Sequence, residues 1–434
     1  MPVSSVGATN GVTWRSRLGP LRERPFRLLF LGRSISLLGG AFAPVALAFA
    51  VIDDLEGSAS QLGLVLAAIW VPEIVFVLIG GIWADRLPRH LVMVGTDLIM
   101  FAAQATVAVL LITGEAEIWH LFATQLVRGV ANAFFHPAAT GLVPHVVSPD
   151  RLQSANAVLR LSLSTTQVLG AASAGLLVAA VGPGWALAFD ALTFLASAGL
   201  LARLPLPREA RLGATNFLAE LREGWVEFRS RTWLWTIAVQ FLFINGFAFG
   251  VLIVLGPVIA KEELGGAAAW GAILACLALG HVAGGLLALR LHPERLLLVA
   301  TLAIFLEIPQ YLLLAAAAPL LAIALAALVA GVGDELFGVF WDTTLQQQIP
   351  HEKLSRVSSY DALGSFVAIP IGLSIVGPIS AGVGVETTLV LATAVVALPT
   401  LAVLLVPDVR RLRSLQVGRP ASASTDPHSV QHHD

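Results

Sequence analysis

Twelve runs of mostly apolar residues dominate this chain, each near the roughly 20 residues a helix needs to cross a bilayer. They lie near 26–51, 61–83, 91–113, 119–141, 154–181, 184–202, 233–259, 269–290, 295–315, 318–345, 359–380 and 385–406. The fourth, fifth and tenth carry the most polar groups. Only 12% of the 434 residues are charged and 57% are hydrophobic, whereas soluble domains carry about a quarter charged residues. A soluble core of this size cannot hide so much apolar surface, but a bilayer solvates it. Backbone polar groups in hydrocarbon must be satisfied within the chain, which favours helices.

The basic residues segregate. Arg15, Arg17, Arg22, Arg24 and Arg27 precede the first run, and Arg86 and Arg89 follow the second. Arg203, Arg208, Arg211, Arg222, Arg229 and Arg231 lie in the long connection after the sixth. Arg290, Arg295, Lys353, Arg356, Arg410, Arg411, Arg413 and Arg419 fall on the same side if twelve runs cross. The opposite side carries acids and one basic residue, Lys261. Basic loops stay in the cytoplasm, so both termini are expected there. The N-terminal segment has no apolar core of its own, so a cleaved signal peptide is not expected.

The chain reads as a duplication. GGIWADRLPRHLVMV, from Gly80, is echoed by GGLLALRLHPERLLLV, from Gly284. PHVVSPDRLQSANAVL, from Pro144, is echoed by PHEKLSRVSSYDAL, from Pro350. The expected fold is therefore all-α and integral to the membrane, with twelve transmembrane helices in two pseudo-symmetric six-helix bundles. The expected divisions are a tail at 1–25, bundles at 26–202 and 233–406, a connection at 203–232 and a tail at 407–434. NFLAELREGWVEFRSRTWLW in the connection reads as an amphipathic helix on the inner face, with Leu218, Leu221, Trp225 and Phe228 on one side.

Several function classes drop out. A net charge of −2 gives no reason to expect nucleic acid. The single cysteine, Cys276, excludes an intrachain disulfide and a cysteine metal cluster. No HExxH, phosphate-binding loop, Gly-rich nucleotide motif or nucleophile–base set is present. No enzyme, metal site or cofactor is expected, and ATP is not expected as a direct energy source.

GGIWADRLPRH resembles the loop motif between the second and third helices of the major facilitator superfamily. Gly81, Asp85, Arg86 and Arg89 hold its positions, and His90 replaces one usual basic residue. LGRSISLLGGAFAPVALA, FFHPAATGLVPHVVSPDRLQSANAV, WALAFDALTFLASA, LREGWVEFRSRTWL and WDTTLQQQIPHEKLSRVSS resemble the exporter branch related to macrolide and enterobactin efflux proteins. The resemblance implies alternating access, and termini on the inside with no targeting peptide fit a bacterial inner membrane. It also implies that Asp85 latches the motif against the eleventh helix near 357–361, where the dipole at a helix N-terminus favours a carboxylate. Arg86 and Arg89 serve equally as plain inside anchors. The fifth run has Gly170 and Gly175 but lacks the Gly-Pro step usual in the superfamily's antiporters.

Charges at membrane depth are costly and face cavities or partners. Glu73, Asp97, Arg128 and Asp190 are candidates for proton coupling, and Asp97 has Arg128 or Arg86 as possible partners. Arg33, Gln167, Glu307, Asp334, Trp341 and Asp342 are candidates for a substrate cavity. Asp334 and Asp342 share one helical face. Arg160, Glu335, Asp361 and His136 are further intramembrane groups, and structural pairing competes with function at each. The expected function is proton-coupled export of a small amphiphilic compound such as a drug or siderophore by a monomer. The partners are that substrate, protons and the lipid bilayer. An uptake symporter of the same fold is one alternative; a transporter-like sensor, partner protein or scramblase is another.

Overall fold

The computed structural model describes residues 19–76, 88–148, 151–204, 217–291 and 293–414. Among them all regular structure is helical. The first six membrane helices are α1 (Arg24–Asp54), α2 (Ala59–Phe76), α3 (Arg89–Thr113), α4 (Ile118–Val146), α5 (Leu152–Val181) and α6 (Pro183–Leu201). A connecting helix, Phe217–Arg229, follows. The second six are α7 (Thr232–Leu264), α8 (Ala267–Ala288), α9 (Leu296–Ala315), α10 (Leu320–Gln348), α11 (His351–Phe366, continuing as Ile369–Val383) and α12 (Val385–Leu405). Ten are long and apolar enough to cross a membrane. The other two are α4 and α5, the polar fourth and fifth runs, and at 29 and 30 residues they also have the length.

Local signals set several boundaries. Ser58 caps α2: its hydroxyl accepts the Gln61 N–H, and the Gln61 side chain accepts the Ser58 N–H, closing a capping box. α3 ends at Gly114, whose φ of 76° suits a residue without Cβ. Not all helices are uniform. π-turns interrupt α7 at Ile244–Ala248 and end α1 and α7 at Ala50–Asp54 and Ala260–Leu264. A 3₁₀ turn, Ile304–Glu307, breaks α9 just before Pro309, whose missing N–H and bulky ring disfavour regular helix upstream.

In the first half α6 packs on α3 and α1, and α4 packs on α3. In the second, α10 packs on α8 and α9, and α7 on α11 and α12. The halves meet through α2 with α11 and α5 with α8, two pairs that the sequence repeat exchanges. Their contacts lie at the end of the molecule away from the termini. A Cβ at Gly63 would strike the Leu373 carbonyl, and one at Gly377 would strike the Ser60 backbone. A Cβ at Gly175 would lie 2.6 Å from the Ala267 carbonyl and 2.8 Å from Gly271 Cα. Small residues let helices approach this closely in a membrane. Lys261 closes the same end, 2.9 Å from Asp53, and donates to the Ile52 carbonyl.

The terminus-bearing end differs. Among the described residues, α4, α10 and the terminus-side parts of α1 and α11 make no extended packing across the seam. One apolar core runs across the seam at the far end, with Phe49, Leu62, Val254 and Leu373 among its members. The terminus end of the first half has its own core, including Phe26, Leu29, Met93 and Leu142.

The connecting helix docks on the start of α11. Glu227 holds Lys353 at 2.9 Å and Arg231 at 2.6 Å. Trp225 and Phe228 pack on Tyr360, with ring centroids 5.5 and 6.2 Å away. Phe228 is buried and Trp225 remains exposed.

Candidate functional site

Gly81, Asp85 and Arg86 lie outside the described residues. Arg89, the fourth member of that motif, is the first residue of α3.

The other proton-coupling candidates fall into separate places. Asp190 is buried inside the first half, where it accepts from Gln104 at 2.9 Å and lies 3.8 Å from Arg128. Arg128 also donates to Gln125 at 3.1 Å and lies over the Phe194 ring. Three helices, α3, α4 and α6, thus contribute to one buried polar knot. Arg128 takes Asp190 as its partner, on a helix the sequence gave no reason to choose over α3. Asp97 lies two turns away, fully buried beside Ser197.

Glu73 sits on a different wall. His136 of α4 lies 4.0 Å from it, Asn132 is within its hydrogen-bonding reach, and Arg33 of α1 is close enough to act on the same histidine. The His136 side chain is 61% exposed and that of Glu73 26%, so this group opens to solvent space, unlike the Arg128–Asp190 knot. Ser34 and Ser162, 2.6 Å apart, tie α1 to α5 beside it.

Across the seam lies a cleft of about 610 Å³ between α5 and the second half. Thr165, Gln167 and Leu169 form one side; His281 and Glu335 stand on the other. Gln167 lines this cleft. Asp334 faces the neighbouring helices: its Oδ2 lies 3.5 Å from His281 Nε2, and it is within hydrogen-bonding reach of Glu307 of α9. Glu307 is 7% exposed and has Tyr311, one turn on, beside it.

Trp341 and Asp342 diverge, as adjacent residues on a helix must. Trp341 is buried, stacks with Phe337, meets Trp233 edge-on and donates to Asp361 at 2.9 Å. These contacts tie α10 to α7 and α11, away from the α5–α8 cleft. Asp342 is exposed. Sequence reasoning did not single out His281. The signal was there: a lone imidazole in the apolar run CLALGHVAGG, flanked by the close-packing residues Gly280 and Gly284.

Comparison with known proteins adds independent findings. A family profile described as Major Facilitator Superfamily matches residues 29–373. Macrolide efflux protein A of Streptococcus pyogenes is 23% identical over 402 residues, covering 89% of this chain and 97% of that protein. The enterobactin exporter EntS of Escherichia coli is 26% identical over 392 residues, covering 86% and 89%. Among solved structures, the nucleoside transporter NupG aligns with a TM-score of 0.70 at 12% identity, covering 89% of this chain and 98% of its own. A bacterial homologue of the human lysosomal transporter Spinster, in an inward-facing and unoccupied conformation, aligns at 0.68 and 15%, covering 88% and 96%. At these identities the structural likenesses establish the fold.

Proposed function

The chain belongs to the major facilitator superfamily, and from that premise we propose that it is a proton-coupled exporter of small amphiphilic compounds. It is a multi-pass membrane transporter rather than an enzyme. In our reading both termini face the cytoplasm of a bacterial cell, which makes the sealed far end the outer one and the splayed end the inner one. The observation that carries this is the asymmetry of the seam. Backbone meets backbone at Gly63, Gly175 and Gly377 on the far side, while the polar groups Arg33, Glu73 and His136 open to solvent space nearer the terminus side. A cavity that faces the cytoplasm, with titratable and hydrogen-bonding groups on its wall, suits loading of a cytoplasmic compound and exchange for an outside proton. The efflux names of two relatives that match most of the chain favour the outward direction.

The test is substrate-dependent proton movement in everted membrane vesicles. They are energised with a respiratory substrate, and the pH gradient is followed by a fluorescent dye. A panel of a macrolide, a catecholate siderophore and lipophilic cations is then added. Collapse of the gradient on adding a compound, absent from vesicles without the protein, is the expected result. A compound accumulated only when its own gradient drives it, with no proton movement, would overturn the coupling. Gradient-dependent loss of the compound from the vesicle lumen would reverse the direction in favour of a symporter.

A further inference from the structure

The second half contains a line of ionisable groups that begins at a cleft and ends in the protein interior. His281 stands on the α8 wall of the α5–α8 cleft. Asp334 follows at 3.5 Å, and Glu307, within hydrogen-bonding reach of Asp334, ends the line in a buried position. Two carboxylates joined by a hydrogen bond must hold at least one proton between them, because a carboxylate without one can only accept. That proton sits in a site with a neighbouring imidazole, and the imidazole has access to the space between the halves.

The backbone is built to bring these groups together. A Cβ at Gly331 would strike the Leu277 carbonyl, and one at Gly280 would strike the Leu328 carbonyl, so α8 and α10 touch one turn from His281 and Asp334. A Cβ at Gly333 would lie 2.5 Å from the Ala303 carbonyl, which draws α9 onto α10 where α9 departs from regular helix at Ile304–Glu307. A 3₁₀ turn inside a long helix marks a place under strain or a hinge. Glu307 is the last residue of this turn and lies beside Asp334 of α10. Among the described residues, the ionisable groups acting on the line are Tyr311 on α9 and Glu335 on α10. α12, which packs along α9, has no ionisable residue after Glu386.

We infer that His281, Asp334 and Glu307 form one proton-carrying chain from the α5–α8 cleft to a buried store at Glu307. This deepens the reading of a proton-coupled transporter and rests on it. One proton stays in the Asp334–Glu307 hydrogen bond throughout. The transported proton is a second one, which neutralises the pair. Cleft water protonates His281 at Nδ1, the Nε2 proton passes to Asp334 Oδ2 as the shared proton is drawn to the Glu307 side of the bond, and the steps reverse on release. Gln167 and Thr165 on the facing helix belong to the half that moves, so closure of the cleft decides whether His281 meets water.

The experiment follows the proton itself, on the purified full-length protein reconstituted in liposomes. Infrared difference spectra between acid and alkaline pH report protonated carboxyl C=O stretching. The wild type is expected to show a reversible carboxyl band that Glu307→Gln removes and Glu307→Asp retains at a shifted frequency. His281→Gln, at a half-exposed position, is expected to keep the band but slow its relaxation after a pH jump by about a hundredfold or more, the usual contribution of a positioned proton-transfer group. An unaltered titrating band in Glu307→Gln overturns the store. Unaltered relaxation in His281→Gln overturns the route, and that variant decides the matter if Glu307→Gln does not fold. Neither readout needs a transported compound. A negative vesicle assay with these spectra as expected would therefore sink the exporter reading alone. A positive vesicle assay with the spectra unchanged would sink this chain alone.

Discussion

Lys261 of α7 holds Asp53 of α1 at 2.9 Å across the far end of the seam. Each side chain is 42% exposed, and exposed pairs are worth roughly 0.2–1 kcal/mol. Lys261→Met is therefore expected to lower the population closed at this end by at most about fivefold, with a smaller effect at high salt. Distances between spin labels on Glu115 and Glu386, in a Cys276→Ser background, measure it. Lys261→Asp with Asp53→Lys should restore the wild-type distribution. No recovery would mean that the pair does not set the balance.

The Arg128–Asp190 knot predicts a much larger effect of the opposite kind. Both side chains are buried, and removing one partner of a buried pair leaves an uncompensated charge, a loss of about 3–5 kcal/mol. Arg128→Leu is expected to lower the thermal unfolding midpoint in detergent sharply, read by intrinsic tryptophan fluorescence. Arg128→Leu with Asp190→Leu should recover most of the loss, because no lone charge remains. A single variant that melts like the wild type would show that Asp190 is held neutral and that Arg128 anchors nothing.

How far the sequence reaches is plain from these two pairs. The number and polarity of the spans, the basic side and the duplication are one-dimensional properties, and all were legible. The partner of Arg128 was not, because it depends on how α4 rotates against α6, which no local spacing records. Trp341 and Asp342 show the same limit: one position along a helix is a turn of about 100°, enough to place one residue in the packing and its neighbour in solvent. Glu307 had no visible partner in sequence, since Asp334 and His281 reach it only through the contacts of α8, α9 and α10 at glycine.

The connecting helix makes a prediction about pH. Hydrogen bonds from Lys353 and Arg231 to Glu227 hold its carboxyl below its ordinary value of 4.5. A carboxylate lowered by folding contributes stability that is fully present above the ordinary value and is lost as pH falls through the lowered one. Docking of Phe217–Arg229 on α11 should therefore be constant from neutral pH down to the ordinary carboxylate range and weaken below it. Hydrogen exchange of the 217–229 peptide measures it. In Glu227→Gln exchange should be faster at neutral pH and lose this acid dependence; acid dependence identical to wild type would assign it to another group.

Gly175 predicts a conformational trap. An alanine methyl there would press on the Ala267 carbonyl and Gly271 Cα, and overpacking of this kind costs about 1–3 kcal/mol. Gly175→Ala should shift the protein toward the state open at the far end, by about fivefold to over a hundredfold. The same spin-label pair should report longer distances, and the fold should be retained. Unchanged distances would show that α5 and α8 yield locally without parting.

Apart from Lys261 and Asp53, the far seal is main chain against main chain at glycine, with apolar side chains packed across the seam around it. Such a seal offers no functional group for a solute or ion outside to compete for, so nothing approaching from that side can prise it apart by binding better. Its opening has to be driven from elsewhere, by whatever occupies or titrates the polar space on the other side of the seam. The molecule would then sense its surroundings at one face only, and the sealed face merely follows.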